Sequence, residues 1–177
     1  MRVSRLTQAK HRLCRSRHLE GGHIPGPPLA NTALIGIAGV HHVVSELSRR
    51  GLVALATVCN TAAYDVVVVT PDGRKHANIQ VKTSSKRASF FRMPPSSRVK
   101  AGPNDFYVLV RWLRKDQRYE SFMLTGREAK AAVRRREQWQ RARRRAGKRE
   151  SIVPNISVTK DPARTERWRR RWLTWRL

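Results

Sequence analysis

Acidic residues are scarce in this chain: Asp and Glu number 12 against 38 Lys and Arg, a formal net charge of +26 over 177 residues. Folding concentrates that self-repelling charge unless a polyanion neutralises it, so nucleic acid is the partner this balance implies. An arginine-biased genome would inflate the basic count, 29 of the 38 being Arg, but would not by itself keep the acids so few. Cysteine is nearly absent as well. Cys14 and Cys59 are the only two and stand far apart, which argues against a disulfide framework and suits a reducing compartment. Without a Cys-x-x-Cys pair, Cys14, His18 and His23 read as scattered polar residues rather than a zinc site. No run of about 18 apolar residues occurs and no apolar h-region follows the N-terminus, so neither a membrane span nor a secretory signal is expected. The expected location is cytoplasmic, although an Arg-rich, acid-poor leader such as Met1 to Arg17 also resembles an organelle transit peptide.

A chain of this length is expected to form one hydrophobic core with basic extensions. Residues 1–30 are basic and end in Gly21-Gly22 and Pro25-Gly26-Pro27-Pro28, which break helix and strand patterns alike, so a flexible basic arm is expected. Residues 31–125 read as the core. From Asn31 the apolar stripe of Ile35, Val40, Val43, Val44 and Leu47 predicts a helix, with Arg49 and Arg50 in its last turn and Gly51 as its stop. Leu52 to Val58 and Tyr64 to Thr70 read as strands, and the run Val66-Val67-Val68-Val69 predicts a central strand buried on both faces. Pro71-Asp72-Gly73 marks a hairpin with Lys75 to Thr83 as its return strand, and Phe106 to Leu113 and Tyr119 to Leu124 predict two more strands. Between them, Ser84 to Asn104 carries three prolines and five basic residues and reads as a long basic loop. Residues 126–177 are expected to pack on or extend the core as basic helices. Thr125-x-x-Glu128 is a capping box, and Asp161-Pro162 opens a last helix whose Trp168, Trp172 and Trp175 form a packing stripe.

The hairpin permits a geometric deduction. A two-residue turn at Asp72-Gly73 sets Asp65 opposite Gln80, because each stands seven residues from its side of the turn. Opposed side chains share a face with Cβ atoms about 5 Å apart, and strand alternation brings Lys82 to that face too. Phosphodiester hydrolysis needs a divalent cation to polarise the phosphate and acidify a water, and a positive group near the developing charge. Asp65, Gln80 and the Val81 carbonyl offer hard oxygen donors for Mg2+ (or Mn2+), and Lys82 offers the positive group. The plainer reading makes Asp65 the start of a strand and leaves Gln80 and Lys82 as solvated edge residues.

The ordered set Gly39-x(6)-Glu46-Leu47-Ser48-Arg49-Arg50-Gly51, Tyr64-Asp65-Val66-Val67-Val68, Ile79-Gln80-Val81-Lys82-Thr83 and Phe106-Tyr107-Val108-Leu109-Val110 resembles the PD-(D/E)XK endonuclease superfamily. It is similar to the bacterial and intron-encoded branch with Ile-Gln-Val-Lys-Thr as third motif, related in fold to archaeal Holliday-junction resolvases. The resemblance spans Ala30 to Leu124. It implies a restriction-endonuclease-like α/β core: a helix, then a β-meander and further strands of a mixed sheet, followed here by C-terminal basic helices. It implies Asp65 as the metal-binding Asp, Gln80 in place of the usual Glu, and Lys82 as the motif lysine. The carboxylate it implies on the first helix falls at Val40. Glu46 stands six residues further on, about 240° around a helix, while His41 and His42 adjoin the vacant position as additional candidates.

The reading that follows is a Mg2+-dependent endonuclease with DNA as the favoured substrate. Its alternatives are a catalytically weak or inactive nucleic-acid-binding protein on the same fold, and a basic RNA-associated structural protein. A homodimer is compatible with each. Phe90 and Phe91, set between Lys86-Arg87 and Arg92 with Arg98 and Lys100 beyond, either stack on unpaired bases while the cations hold phosphate, or fill the core beneath the loop.

Overall fold

The computed structural model describes residues 32–57, 64–84, 90–113 and 115–177. The basic arm expected at residues 1–30 lies outside them, as do Cys59, Lys86 and Arg87. The apolar stripe produces α1, Thr32–Arg49, which buries Gly39, Val43 and Leu47. It ends in a left-handed residue, Gly51 at φ +80°, with the Leu52 N–H returning to the Leu47 carbonyl at 3.2 Å. Three strands follow as a meander: β1, Val53–Ala56, β2, Val66–Val69, and β3, His76–Ser84. After them come β4, Phe90–Arg92, β5, Asp105–Leu113, and β6, Arg118–Thr125.

The main sheet has five strands in the order β1-β2-β3-β5-β6. All neighbours are antiparallel except β3 and β5, which run parallel. The central strand is therefore β3, not the valine run expected there. β2 has only β1 outside it, and its burial alternates, Val66 and Val68 inward with Val67 and Val69 half exposed. Four consecutive valines mark strand propensity, but only the cover on each face decides burial.

Each face of the sheet carries its own apolar core. On one, Val43 and Leu47 of α1 pack on Val66, Val68, Ile79, Val81, Val108 and Val110. On the other, Tyr107, Leu109, Phe122 and Leu124 meet Ala129 and Val133 of α2, Gly126–Arg145. α2 opens with the expected capping box: the Thr125 hydroxyl accepts from the Glu128 N–H at 3.2 Å, and Glu128 accepts from the Thr125 N–H at 2.9 Å. The last helix, α3, Pro162–Thr174, starts where the Asp161 carboxylate accepts from the Arg164 N–H at 3.0 Å. It buries Trp168 in the α2-side core and Trp172 in the α1-side core, so it lies along β6, the sheet's edge. Arg171 donates there to the Met123 carbonyl at 3.3 Å, occupying a backbone acceptor that an open edge would present to other chains. The tryptophans are thus a packing stripe, as expected.

The segment read as one long basic loop is only partly loop. β4 pairs antiparallel with β7, Asn155–Ser157, in a small separate ribbon, and a single 3-10 turn follows at Ser96–Arg98. Among the described residues, no helix is long and apolar enough to cross a membrane.

Candidate functional site

The β2–β3 turn is wider than two residues, spanning Pro71 to Arg74, because Thr70 donates to the Lys75 carbonyl at 3.0 Å. Gly73, at φ +72°, closes an inner bend by donating to the Thr70 carbonyl at 2.8 Å. The loop widens evenly on both sides of Asp72-Gly73, so the register stays that of the tighter turn: Val69 faces His76 and Val66 faces Ile79. One step further on, Asp65 stands just outside the strand, its N–H donating to the Ile79 carbonyl at 2.9 Å. Its Oδ2 accepts from the Val81 N–H at 2.7 Å. The carboxylate takes the place a further β2 carbonyl would hold, and the hydrogen bond fixes it against β3. Within a strand a residue's C=O points to the same side as its N–H, so the Val81 carbonyl shares that edge with Asp65.

Ile79 and Val81 belong to the α1-side core, which turns Gln80 and Lys82 to the opposite face. Both are half-buried, in register with Tyr107 and Leu109 of β5. Lys82 forms no ion pair with any described residue. Continuing the β2–β3 register by one step sets Gln80 across from Asp65, with Lys82 two residues further along the same face of β3.

Sequence reasoning missed a second acid on this side. Asp105, 8% exposed, faces Asn78 across the β3–β5 pairing and accepts from the Gly102 N–H at 2.7 Å. Burial raises the Tyr64 hydroxyl above its ordinary pKa, and a hydrogen bond to Asp105 adds to the rise. Burial likewise raises Tyr107, whose hydroxyl accepts from the Lys100 N–H at 3.0 Å. Only the parallel β3–β5 register brings Asp105 near, and nothing local in Asn104-Asp105 signals it.

Two of the first-helix candidates have partners elsewhere in the fold. His42 lies against β6, within 3.2 Å of the Ser121 hydroxyl and with its ring 4.5 Å from that of Tyr119. Burial holds its pKa below the ordinary histidine value; Glu46 acts upward and Arg50 downward. Glu46 pairs with Arg49 at 3.0 Å and Arg50 at 3.5 Å, and His41 is exposed. Val40 is half-buried against the α1-side core. The expected binding loop divides: Phe91 is 2% exposed and fills the α2-side core, whereas Phe90 is 50% exposed. Arg92, Arg98 and Lys100 are exposed as well.

Among the described residues there is no group of three or more His, Cys, Asp or Glu able to hold a metal ion. The residues that could hold a cation here, through the Asp65 carboxylate, the Gln80 side-chain amide and the Val81 carbonyl, offer hard oxygens, a set suited to Mg2+ or Mn2+ but low in charge. Oδ1 of Asp65 takes no hydrogen bond from a described residue, which leaves a carboxylate oxygen for a cation.

The chain is a mixed α/β protein: a helix leads into a five-stranded mixed sheet, with further helices at its C-terminal side. No known protein family and no curated protein matches it. Among solved structures it is similar to a bacterial homing endonuclease, at 14% identity over 81% of this chain and 89% of that one, with a TM-score of 0.48.

Proposed function

We propose that this chain is a divalent-metal-dependent endonuclease, with DNA as its favoured substrate, acting at Asp65, Gln80 and Lys82. The observation that carries the reading is the hydrogen bond from the Val81 N–H to Asp65, which pins a carboxylate beside the strand that presents Gln80 and Lys82. Asp65, the Gln80 amide oxygen and the Val81 carbonyl would hold Mg2+ or Mn2+. When bound, that ion supplies charge to polarise a phosphate and to acidify a water. Lys82 places its ammonium where negative charge builds on the phosphate, and its half-burial strengthens that interaction over the same contact in water. The net charge of +26 supplies sequence-independent attraction to the phosphate backbone.

A panel of end-labelled duplex, junction, single-stranded DNA and RNA, incubated with Mg2+, Mn2+ or EDTA, tests this. Scission of at least one DNA substrate is expected with either metal and none with EDTA. Binding should fall steeply with salt, because each neutralised phosphate releases condensed counterions. Cleavage in EDTA would remove the metal from the account.

A second reading has an observation in its favour. Asp65 is the only carboxylate of the donor set, and Asp105 is engaged by Gly102 and Tyr64. A binding protein on the same fold would retain salt-sensitive affinity and cut nothing in the panel.

A further inference from the structure

Basic residues are dense along α2. α2 alone carries nine basic residues against two acidic ones. Where α2 faces β7 and the start of α3, a recess of about 200 Å³ is lined by Arg135, Arg136, Trp139, Ser157, Lys160 and Arg164. Its acids do not balance its cations. Glu150 serves both Arg136, at 2.9 Å, and Arg143, at 3.6 Å, and Asp161 serves Arg164 at 3.4 Å. Arg136 and Arg164 each keep a buried Nε with no hydrogen-bond acceptor among the described residues, and the Arg143 Nε reaches Glu150 only at 3.6 Å, beyond hydrogen-bond distance. Arg135 and Lys160 have no acid partner there at all.

Amid these cations stands an exposed aromatic ring. Trp139 is 43% exposed, with the Arg136 guanidinium 4.1 Å, the Arg143 guanidinium 5.1 Å and the Lys160 ammonium 5.6 Å from its ring centre. Even with these cations against it, close to half of the ring surface stays open to a ligand. A second exposed ring, Phe90, pairs with Ser157, so the two side chains share the outer side of the β4–β7 ribbon, and Ser157 lines the recess. Duplexes present phosphates but keep base faces stacked inside. Exposed rings interleaved with unpaired cations match a strand whose bases are free to stack.

We infer that this recess binds a single-stranded segment of nucleic acid, with an unpaired base on Trp139, Phe90 beside it, and phosphates on Arg135, Lys160 and Arg164. The inference rests on the nucleic-acid part of the function proposed above and not on hydrolysis. β4 follows β3 in the chain and contacts it, which ties the ribbon beside the recess to the strand that carries Lys82.

The test uses the full chain and three labelled probes: oligothymidylate and oligouridylate of about 20 nucleotides, longer than a site of about 4–16 nucleotides, and a DNA duplex of equal length. Trp139→Ala is expected to weaken binding of one or both single strands about tenfold, with duplex affinity changed less than about twofold. Trp139→Phe, which keeps a stacking face, should retain most of the affinity and also shows that the fold survives. Arg135→Ala with Lys160→Ala should lower the logarithmic salt slope on single strands by about 1.4, because two phosphates then keep their counterions. Unchanged single-strand affinity in Trp139→Ala, while wild type binds, would overturn the recess as the site and leave nucleic-acid binding standing. Equal losses on duplex, or equal losses in Trp139→Phe and Trp139→Ala, would overturn single-strand stacking. Absence of wild-type binding to all three probes at low salt would overturn this inference together with the nucleic-acid reading.

Discussion

Asp65→Ala is expected to abolish cleavage, and Lys82→Ala to slow it about 10²- to 10³-fold, while each binds nucleic acid within about twofold of wild type. The Asp65 side chain supplies the only formal negative charge among the proposed donors, so its removal leaves two neutral oxygens facing a dication. It also frees the N–H of buried Val81, which it holds at 2.7 Å. The stability loss should therefore be about 1–3 kcal/mol, the cost of leaving a buried donor without its acceptor. Lys82 pairs with no described acid, so alanine there breaks no ion pair and the loss falls on the transition state alone. Neither residue is more than a small part of a surface with 38 basic residues, which is why affinity should persist. Single-turnover cleavage with saturating protein, beside equilibrium binding in EDTA, separates the two effects. A Lys82→Ala enzyme at wild-type rate would place the positive group elsewhere.

The second large effect concerns how α1 seats on the sheet. A Cβ added at Gly39 would lie 1.9 Å from the Thr83 hydroxyl oxygen and 2.9 Å from both its Cβ and its methyl. Rotating Thr83 moves the hydroxyl and methyl but not its Cβ, so helix or strand must shift. On propensity alone Ala in a helix interior is better than Gly by about 1 kcal/mol. Overpacking a close contact costs about 1–3 kcal/mol, and three contacts this short put Gly39→Ala at the upper end, a net loss of about 2 kcal/mol. At this chain length that lowers the melting temperature by about 4–8 °C. Gly36 sits on the same helix with nothing within 4 Å of a built Cβ, so Gly36→Ala should raise stability by up to about 1 kcal/mol. Thermal unfolding of both variants provides the contrast, and equal shifts of one sign would mean that α1 is not seated on Thr83.

The features legible in the sequence are those written in local periodicity. The stripe from Ile35 to Leu47 specified α1, Thr125 and Glu128 specified the start of α2, and the spacing of Trp168, Trp172 and Trp175 specified the buried side of α3. The hairpin register was legible because a turn relates two strands symmetrically, and it held even though the loop proved wider. What escaped depends on contacts distant in sequence. Phe90 to Arg92 forms a strand only because Asn155 to Ser157 comes back beside it, and three residues show no reliable period. The same pairing divides Phe90 from Phe91, which adjacent positions on a strand must do. β3 is central because β5 joins it in parallel, a crossover that no local pattern encodes. That crossover also puts Asp105 beside Asn78. The face α1 turns to the sheet, with Gly39 meeting Thr83 and His42 within reach of Ser121, likewise rests on contacts distant in sequence.

The most direct test of the central claim, that Asp65 and Gln80 jointly face one catalytic cation, is a Mg2+ titration of cleavage by wild type and Gln80→Glu. Gln and Glu are nearly isosteric, so the substitution leaves the half-buried site's shape intact while taking the donor set from one formal negative charge to two. Oxygen-ligand sites strengthen with carboxylate count, and the half-saturating Mg2+ concentration should fall by about tenfold or more, with no cleavage by either protein in EDTA. Superimposable Mg2+ titrations for the two proteins, or cleavage that persists in EDTA, would contradict it.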